Sequence, residues 1–140
     1  MSKFDWNNKY ATNIHIIDEE HKFLFATLAT LDGANTDPEL DNESRDKLVY
    51  KILLDLKHYT ATHFVVEEEM MRVYGYPDEG NHRLEHYKFV EKITYLISVF
   101  DESGFNIPGA MIQFLGDWLV NHIGEVDSKL GEFLAKQGQN

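Results

Sequence analysis

Four stretches of this chain carry apolar residues spaced three and four apart, with polar residues between them. That spacing is the signature of one buried face of an α-helix, and no stretch sustains the strict alternation of a half-buried strand. The stripes are Ile17–His21–Leu24–Leu28–Leu31, then Leu48–Ile52–Leu56–Tyr59–His63–Glu67–Met70. The third is His82–His86–Phe89–Ile93–Leu96–Phe100, and the fourth is Met111–Leu115–Trp118/Leu119–His122–Val126. Helix breakers separate them: Asp32-Gly33, the polar run from Gly33 to Asn42 with Pro38, the Gly75-Tyr76-Pro77 turn, Ser103-Gly104 and Pro108-Gly109. Four amphipathic helices with short connections predict an all-α, up-down-up-down four-helix bundle.

The boundaries follow from capping chemistry. Asp18 is a good N-cap for a first helix over residues 18–31, and Pro38 could open the first turn of the second, over 41–73. The third is predicted over 79–101 and the fourth over 109–125, with Pro108 in its first turn. A short terminal helix over 127–137 carries Leu130, Phe133 and Leu134. Residues 1–17 hold Phe4, Trp6, Tyr10, Ile14 and Ile16 without a helical period, which reads as an extended arm lying across the bundle. The whole chain, 1–140, reads as one domain.

Composition removes several chemistries. With no cysteine, disulfides, thiolate ligands and cysteine nucleophiles are excluded. A formal net charge of -11 makes nucleic acid and anionic membranes poor partners. No apolar run approaches the roughly 20 residues of a membrane span and the N-terminus lacks a signal-peptide core, so a cytoplasmic location is expected. Histidine is the outlier, at 7 of 140 residues.

Those histidines break the stripes. His63 and Glu67 lie four apart on the second, and His82 and His86 four apart on the third, so each pair points one way from its helix. His21 opens the first stripe and His122 closes the fourth. In an alternating bundle all these positions fall at the same end. A lone histidine on an apolar seam is more often a core residue bonded to a backbone carbonyl, the reading that suits His15; His58 lies just off its seam and reads as surface. Five imidazoles and a carboxylate in one layer need a shared charge partner, because a buried unpaired carboxylate costs several kcal/mol. A metal centre supplies one.

Five imidazoles exceed the four-coordinate habit of a single zinc, and nitrogen donors disfavour calcium and magnesium. Two transition-metal ions bridged by carboxylate fit better, with Glu67 as one bridge. The second bridge should come from His122-Ile123-Gly124-Glu125-Val126-Asp127. Glu125, three from His122, is favoured by spacing, since i,i+5 lies about 140° away on a regular helix. Gly124 could loosen the turn enough to bring Asp127 round, and spacing leaves the two open.

These residues resemble the hemerythrin family, specifically its single-domain bacterial members (bacteriohemerythrins). The likeness rests on Asp18-Glu19-Glu20-His21, on His63-Phe64-x-x-Glu67-Glu68, on His82-x-x-x-His86, and on Trp118-Leu119-x-x-His122-Ile123-x-x-x-Asp127. Trp6, Tyr10 and the Tyr-Gly-Tyr-Pro turn at 74–77 add to it. The resemblance implies two non-haem iron ions, bridged by oxide or hydroxide, with dioxygen as the ligand. His82, His86 and His122 would hold one iron, His21 and His63 the other, and Glu67 and Asp127 would bridge them. Glu125 would then be a surface residue, and Glu68 and Glu69 solvated or outside the ligand shell.

Apolar side chains near His21, His63 and His122 would form the dioxygen pocket: Leu119, Ile123, Phe64, Phe25 and Trp118. The implied function is reversible dioxygen binding for transport, storage or delivery by a monomer that is not an enzyme. Two alternatives are an oxygen or redox sensor acting through a signalling partner, and a di-iron peroxidase or oxidase. A carrier could also deliver to an oxygen-using enzyme. The competing ferritin-like arrangement needs paired Glu-x-x-His motifs. The chain has one copy, Glu79 to His82, straddling a turn.

Overall fold

The computed structural model describes residues 4–103 and 109–139. Helices α1 (His15–Thr36), α2 (Asn42–Tyr74), α3 (Glu79–Ser103) and α4 (Gly109–Asn121) pack as a four-helix bundle, each against its chain neighbour and α1 also against α4. A π-helical turn (His122–Asp127) joins α4 to a short α5 (Ser128–Lys136), and a single 3-10 turn (Asn8–Tyr10) interrupts the arm. The described residues contain no strand. None of their helices is long and apolar enough to cross a membrane. Gly104 and Pro108, assigned above to a break and to a first turn, lie outside the described residues, as do 1–3 and 140.

Local signals set the helix ends, though not always the ones the sequence suggested. Asp41 caps α2 by accepting the Ser44 N–H at 2.7 Å, so that helix opens at Asn42 rather than at Pro38. Gly75 ends it in the left-handed region at φ 66°, where a Cβ would be strained, and the Tyr76 N–H donates back to the Met71 carbonyl at 2.9 Å. In α1 the N-cap is Ile14, not Asp18. Asp18 sits inside the first turn, and its carboxylate accepts from the Thr12 N–H at 2.8 Å, the Thr12 hydroxyl at 2.7 Å and the Asn13 N–H at 3.1 Å. It ties the arm to the helix. The helix runs through Gly33 to Thr36, one turn beyond the proposed stop. His15 is exposed at the start of α1 and is no core histidine.

The buried seams follow the predicted phase with small shifts. On α2 the core takes Val49 in place of Leu48, which is 39% exposed, and Met71 is fully buried where Met70 is partly so. The arm closes the bundle. Phe4 is buried against Gly116, where a Cβ would fall 2.5 Å from the Phe4 ring. Trp6 meets Phe25 edge-on and Tyr10 packs tilted against the same ring.

Two apolar clusters result. The large one fills the bundle through Leu24, Leu56, Phe64, Phe89, Leu119 and Ile123. The small one closes an end with Ile14, Ile17, Met71, Leu130 and Leu134. Along every helix the polar intruders fall at the edge of the large cluster: His21 lies between Ile17 and Leu24, Glu67 between Phe64 and Met71, Asp127 between Ile123 and Leu130. The site is therefore a thin polar layer in an apolar interior.

Candidate metal centre

His21, His63, Glu67, His82, His86, His122 and Asp127 all lie in that layer, each at most 2% exposed. The two carboxylates divide their oxygens. Glu67 Oε2 is 2.8 Å from His63 Nε2 and 3.3 Å from His21 Nε2, and Asp127 Oδ2 is 2.9 Å from His21 Nε2. Their other oxygens serve the remaining rings. Glu67 Oε1 is 3.1 Å from both His82 Nε2 and His86 Nε2, while Asp127 Oδ1 is 3.0 Å from His82 Nε2 and 3.1 Å from His122 Nε2. Two groups of donors result, one of His21, His63, Glu67 and Asp127, the other of Glu67, His82, His86, His122 and Asp127. Within each, ligand atoms lie within 4.8 Å of one another. Both carboxylates belong to both groups.

The outer edges of three rings are held by acids. His63 Nδ1 donates to Glu20 at 2.8 Å, His86 Nδ1 to Glu68 at 2.9 Å, and His122 Nδ1 to Glu85 at 2.9 Å. In each case the acid stands on the neighbouring helix. This fixes the tautomer: a neutral ring that gives its Nδ1 proton outward keeps a bare Nε2 lone pair inward. That lone pair then faces a carboxylate oxygen, acceptor against acceptor, which repels unless a cation stands between them. His63 Nε2, His122 Nε2 and both Asp127 oxygens make no hydrogen bond among the described residues, despite these short separations. These four atoms converge without bonding one another, while Glu67 is within hydrogen-bond distance of His21, His82 and His86. Carboxylate–histidine pairs around converging nitrogens are the usual support of a metal site.

The titration behaviour has the same origin. Burial works against a charged His63, yet Glu67 and Glu20 hold its pKa up to about 10. Burial likewise opposes charge on His122 and His82, but Asp127 with Glu85, and Asp127 with Glu67, hold them up to about 10 and about 9. His21 is raised by Asp127 and Glu67 against the same burial penalty. Burial alone would lift the Glu67 carboxyl, but the facing His63, His21 and His82 drive it well below the usual range. Asp127 is driven down by His122 and His21 against burial and the charge of Glu67. Without an ion, protons fill the role of cation. The donor set is five imidazoles and two shared carboxylates, and it fits two borderline divalent transition ions rather than calcium or magnesium.

The π-helical turn places Asp127 in the polar layer and leaves Glu125 exposed. Its i→i+5 hydrogen-bond pattern adds a residue to the turn and widens it, so Asp127 returns to the face of His122. The Ser128 hydroxyl donates to the Gly124 carbonyl at 2.9 Å inside this turn. Glu69 is exposed and paired with Arg72, whereas Glu68 bonds both His86 and Arg83. Glu20 and Glu85 were not singled out from sequence. Each stands beside a site histidine in the chain, His21 and His86, but serves a histidine on another helix. An acid next to a seam histidine is the signal that would have marked them.

The apolar candidates divide by position. Leu119, Ile123, Phe64 and Phe25 are buried in the large cluster. Phe64 lies flat on His86, with centroids 3.8 Å apart, and meets His122 edge-on. Trp118, partly buried, stacks on His122 at 5.0 Å.

The sequence model of the hemerythrin HHE cation binding domain matches residues 12–134. A bacteriohemerythrin of Methylococcus capsulatus is 33% identical over 137 residues, spanning 96% of this chain and 99% of that protein. A myohemerythrin of Theromyzon tessulatum is 32% identical, over 90% of this chain and 89% of its own length. A solved wild-type hemerythrin superposes with a TM-score of 0.79 at 32% identity, covering 96% of this chain and 97% of that one.

Proposed function

The chain belongs to the hemerythrin family, and from that premise we propose that it binds dioxygen reversibly at two non-haem iron ions held between its helices. The observation that carries the reading is the division of oxygens: Glu67 and Asp127 each turn one oxygen to His21 or His63 and the other toward His82, His86 or His122. A carboxylate that faces two donor groups at once could be shared by two ions. His82, His86 and His122 would hold one ion, and His21 and His63 the other. The iron pair, when bound, supplies the two electrons that dioxygen takes up and returns.

This chain's residues do the rest. The two-histidine group offers four protein donors against five on the other side, so it leaves more room for a small ligand. Leu119 and Ile123 flank His122 in the sequence and are fully buried, and with Phe64 and Phe25 they keep water from the layer. Trp118 covers His122 from outside. Glu20, Glu68 and Glu85 keep the Nε2 lone pairs turned inward. Nitrogen-rich ligation puts fewer negative charges on the ions than a carboxylate-rich site does, which favours carriage over oxidation of substrates. The protein acts as a carrier or store, not as an enzyme.

Metal analysis with optical spectra tests this. Two irons per chain are expected, with a visible charge-transfer band that forms in air and vanishes on deoxygenation. One zinc per chain, or a band that never reverses, would overturn it.

A further inference from the structure

We propose that metal reaches the polar layer through a cleft between the start of α3 and the π-helical turn, over Asp78, Asn81 and Glu85 and past the His82 ring. The proposal rests on the two-metal reading of the layer. The cleft measures about 250 Å³, with Asp78, Asn81, His82, Glu85 and Lys88 along its walls. Its carboxylates and amide oxygen suit a hydrated divalent ion about to lose water.

His82 links this cleft to the interior. The ring is 1% exposed, and its Nε2 lies within 3.1 Å of Glu67 and Asp127. Its Nδ1 is buried without a hydrogen-bond partner among the described residues, in contrast to the acid-bonded Nδ1 atoms of His63, His86 and His122. The ring thus lines the cleft, carries an unbonded Nδ1, and approaches both shared carboxylates with its Nε2. Glu85 has a second role: it is 41% exposed, and one oxygen accepts from His122.

Two other clefts reach site histidines, and chemistry argues against both. The one beside His86 has Glu68 as the single acid on its wall, and that carboxylate is already taken by Arg83 at 2.8 Å and by His86 at 2.9 Å, whereas Asp78 and Glu85 outnumber Lys88 in the first cleft. The one beside His122 is smaller, about 150 Å³. There Trp118 covers the ring and Glu85 already takes its Nδ1 proton. Of the three, only the Asp78 cleft is lined by an imidazole whose Nδ1 has no acid partner among the described residues.

The test is the rate of cobalt(II) uptake by the metal-free full chain, followed by stopped-flow absorbance, with the end point fixed by metal analysis. One charge more or less beside a divalent ion, screened at physiological salt, changes the rate about threefold. Asp78→Asn should load about threefold more slowly and Lys88→Gln about threefold faster, while Glu39→Gln, on the α1–α2 connection, loads like the wild type. All should finish with two ions and the same final spectrum. Should Asp78→Asn fail to fold, Lys88→Gln decides alone. Two ions taken up at wild-type rates by both cleft variants would overturn the port and leave the site intact. A wild-type end point below two ions would overturn the two-metal reading, and the proposal with it.

Discussion

Replacing Leu119 by alanine separates two functions that one side chain performs. Leu119 is 0% exposed in the large apolar cluster, three residues before His122. Removing three carbons from such a position costs about 2–5 kcal/mol, from lost transfer energy and the cavity left behind. For a domain this size, about 3 kcal/mol lowers the melting midpoint by roughly 10 °C. The void exceeds the roughly 10–15 Å³ that a water needs, and the nearby polar layer offers partners. Water admitted beside the bound ligand would offer it a hydrogen bond worth about 1.5–3 kcal/mol and so would speed its loss about ten- to a hundredfold. Leu56→Ala is the control, because Leu56 is equally buried in the same cluster but two turns below His63. Both variants should lose similar stability in chemical denaturation. Only Leu119→Ala should shorten the life of the oxygenated protein, measured as decay of its charge-transfer band in air. Equal lifetimes in the two variants, or a Leu119→Ala lifetime equal to wild type, would refute the water-exclusion argument.

Three further outcomes follow from the geometry. Asp127→Asn removes an oxygen anion shared by both donor groups and should leave fewer than two tightly held ions per chain, whereas the exposed Glu125→Ala should keep both; metal analysis after dialysis distinguishes them. Glu20→Gln and Glu85→Gln weaken the outward hold on His63 and His122 and should each lower metal affinity about 10–100-fold, read by chelator competition. In the metal-free protein, the raised pKa values of His63, His82 and His122 add stability that is full below about 6.5 and lost as pH rises toward 9–10. The lowered Glu67 and Asp127 add stability present above about 4.5 and lost as pH falls through their depressed values. Urea midpoints should therefore peak near pH 5–6 and decline on the alkaline side, and a metal-free optimum at pH 8 would contradict the assignment.

Much of the bundle was legible because burial leaves a periodic trace. A residue facing the core must recur every three or four positions, and histidine or glutamate at such a position is conspicuous against leucine and isoleucine. Helix ends were less legible. Asp18 has the chemistry of a cap, but its carboxylate is committed to Thr12 and Asn13 of the arm, a contact with no signal in local spacing. Gly33 looked like a stop and lies within a helix, because nothing near it demanded a left-handed residue.

Glu20, Glu68 and Glu85 show the limit most clearly. Their roles depend on which ring stands opposite on another helix, and a single chain read in order carries no such information. The sequence by itself determined an all-α chain with polar residues gathered at one end of its seams, since periodicity and the cost of buried charge are local properties. Only the tertiary structure decided how the carboxylates divide their oxygens, which acid steadies which imidazole, and that a widened turn carries Asp127 to the face of His122. Those depend on helix rotation and crossing, to which hydrogen bonds respond within a few tenths of an ångström and hydrophobic spacing hardly at all.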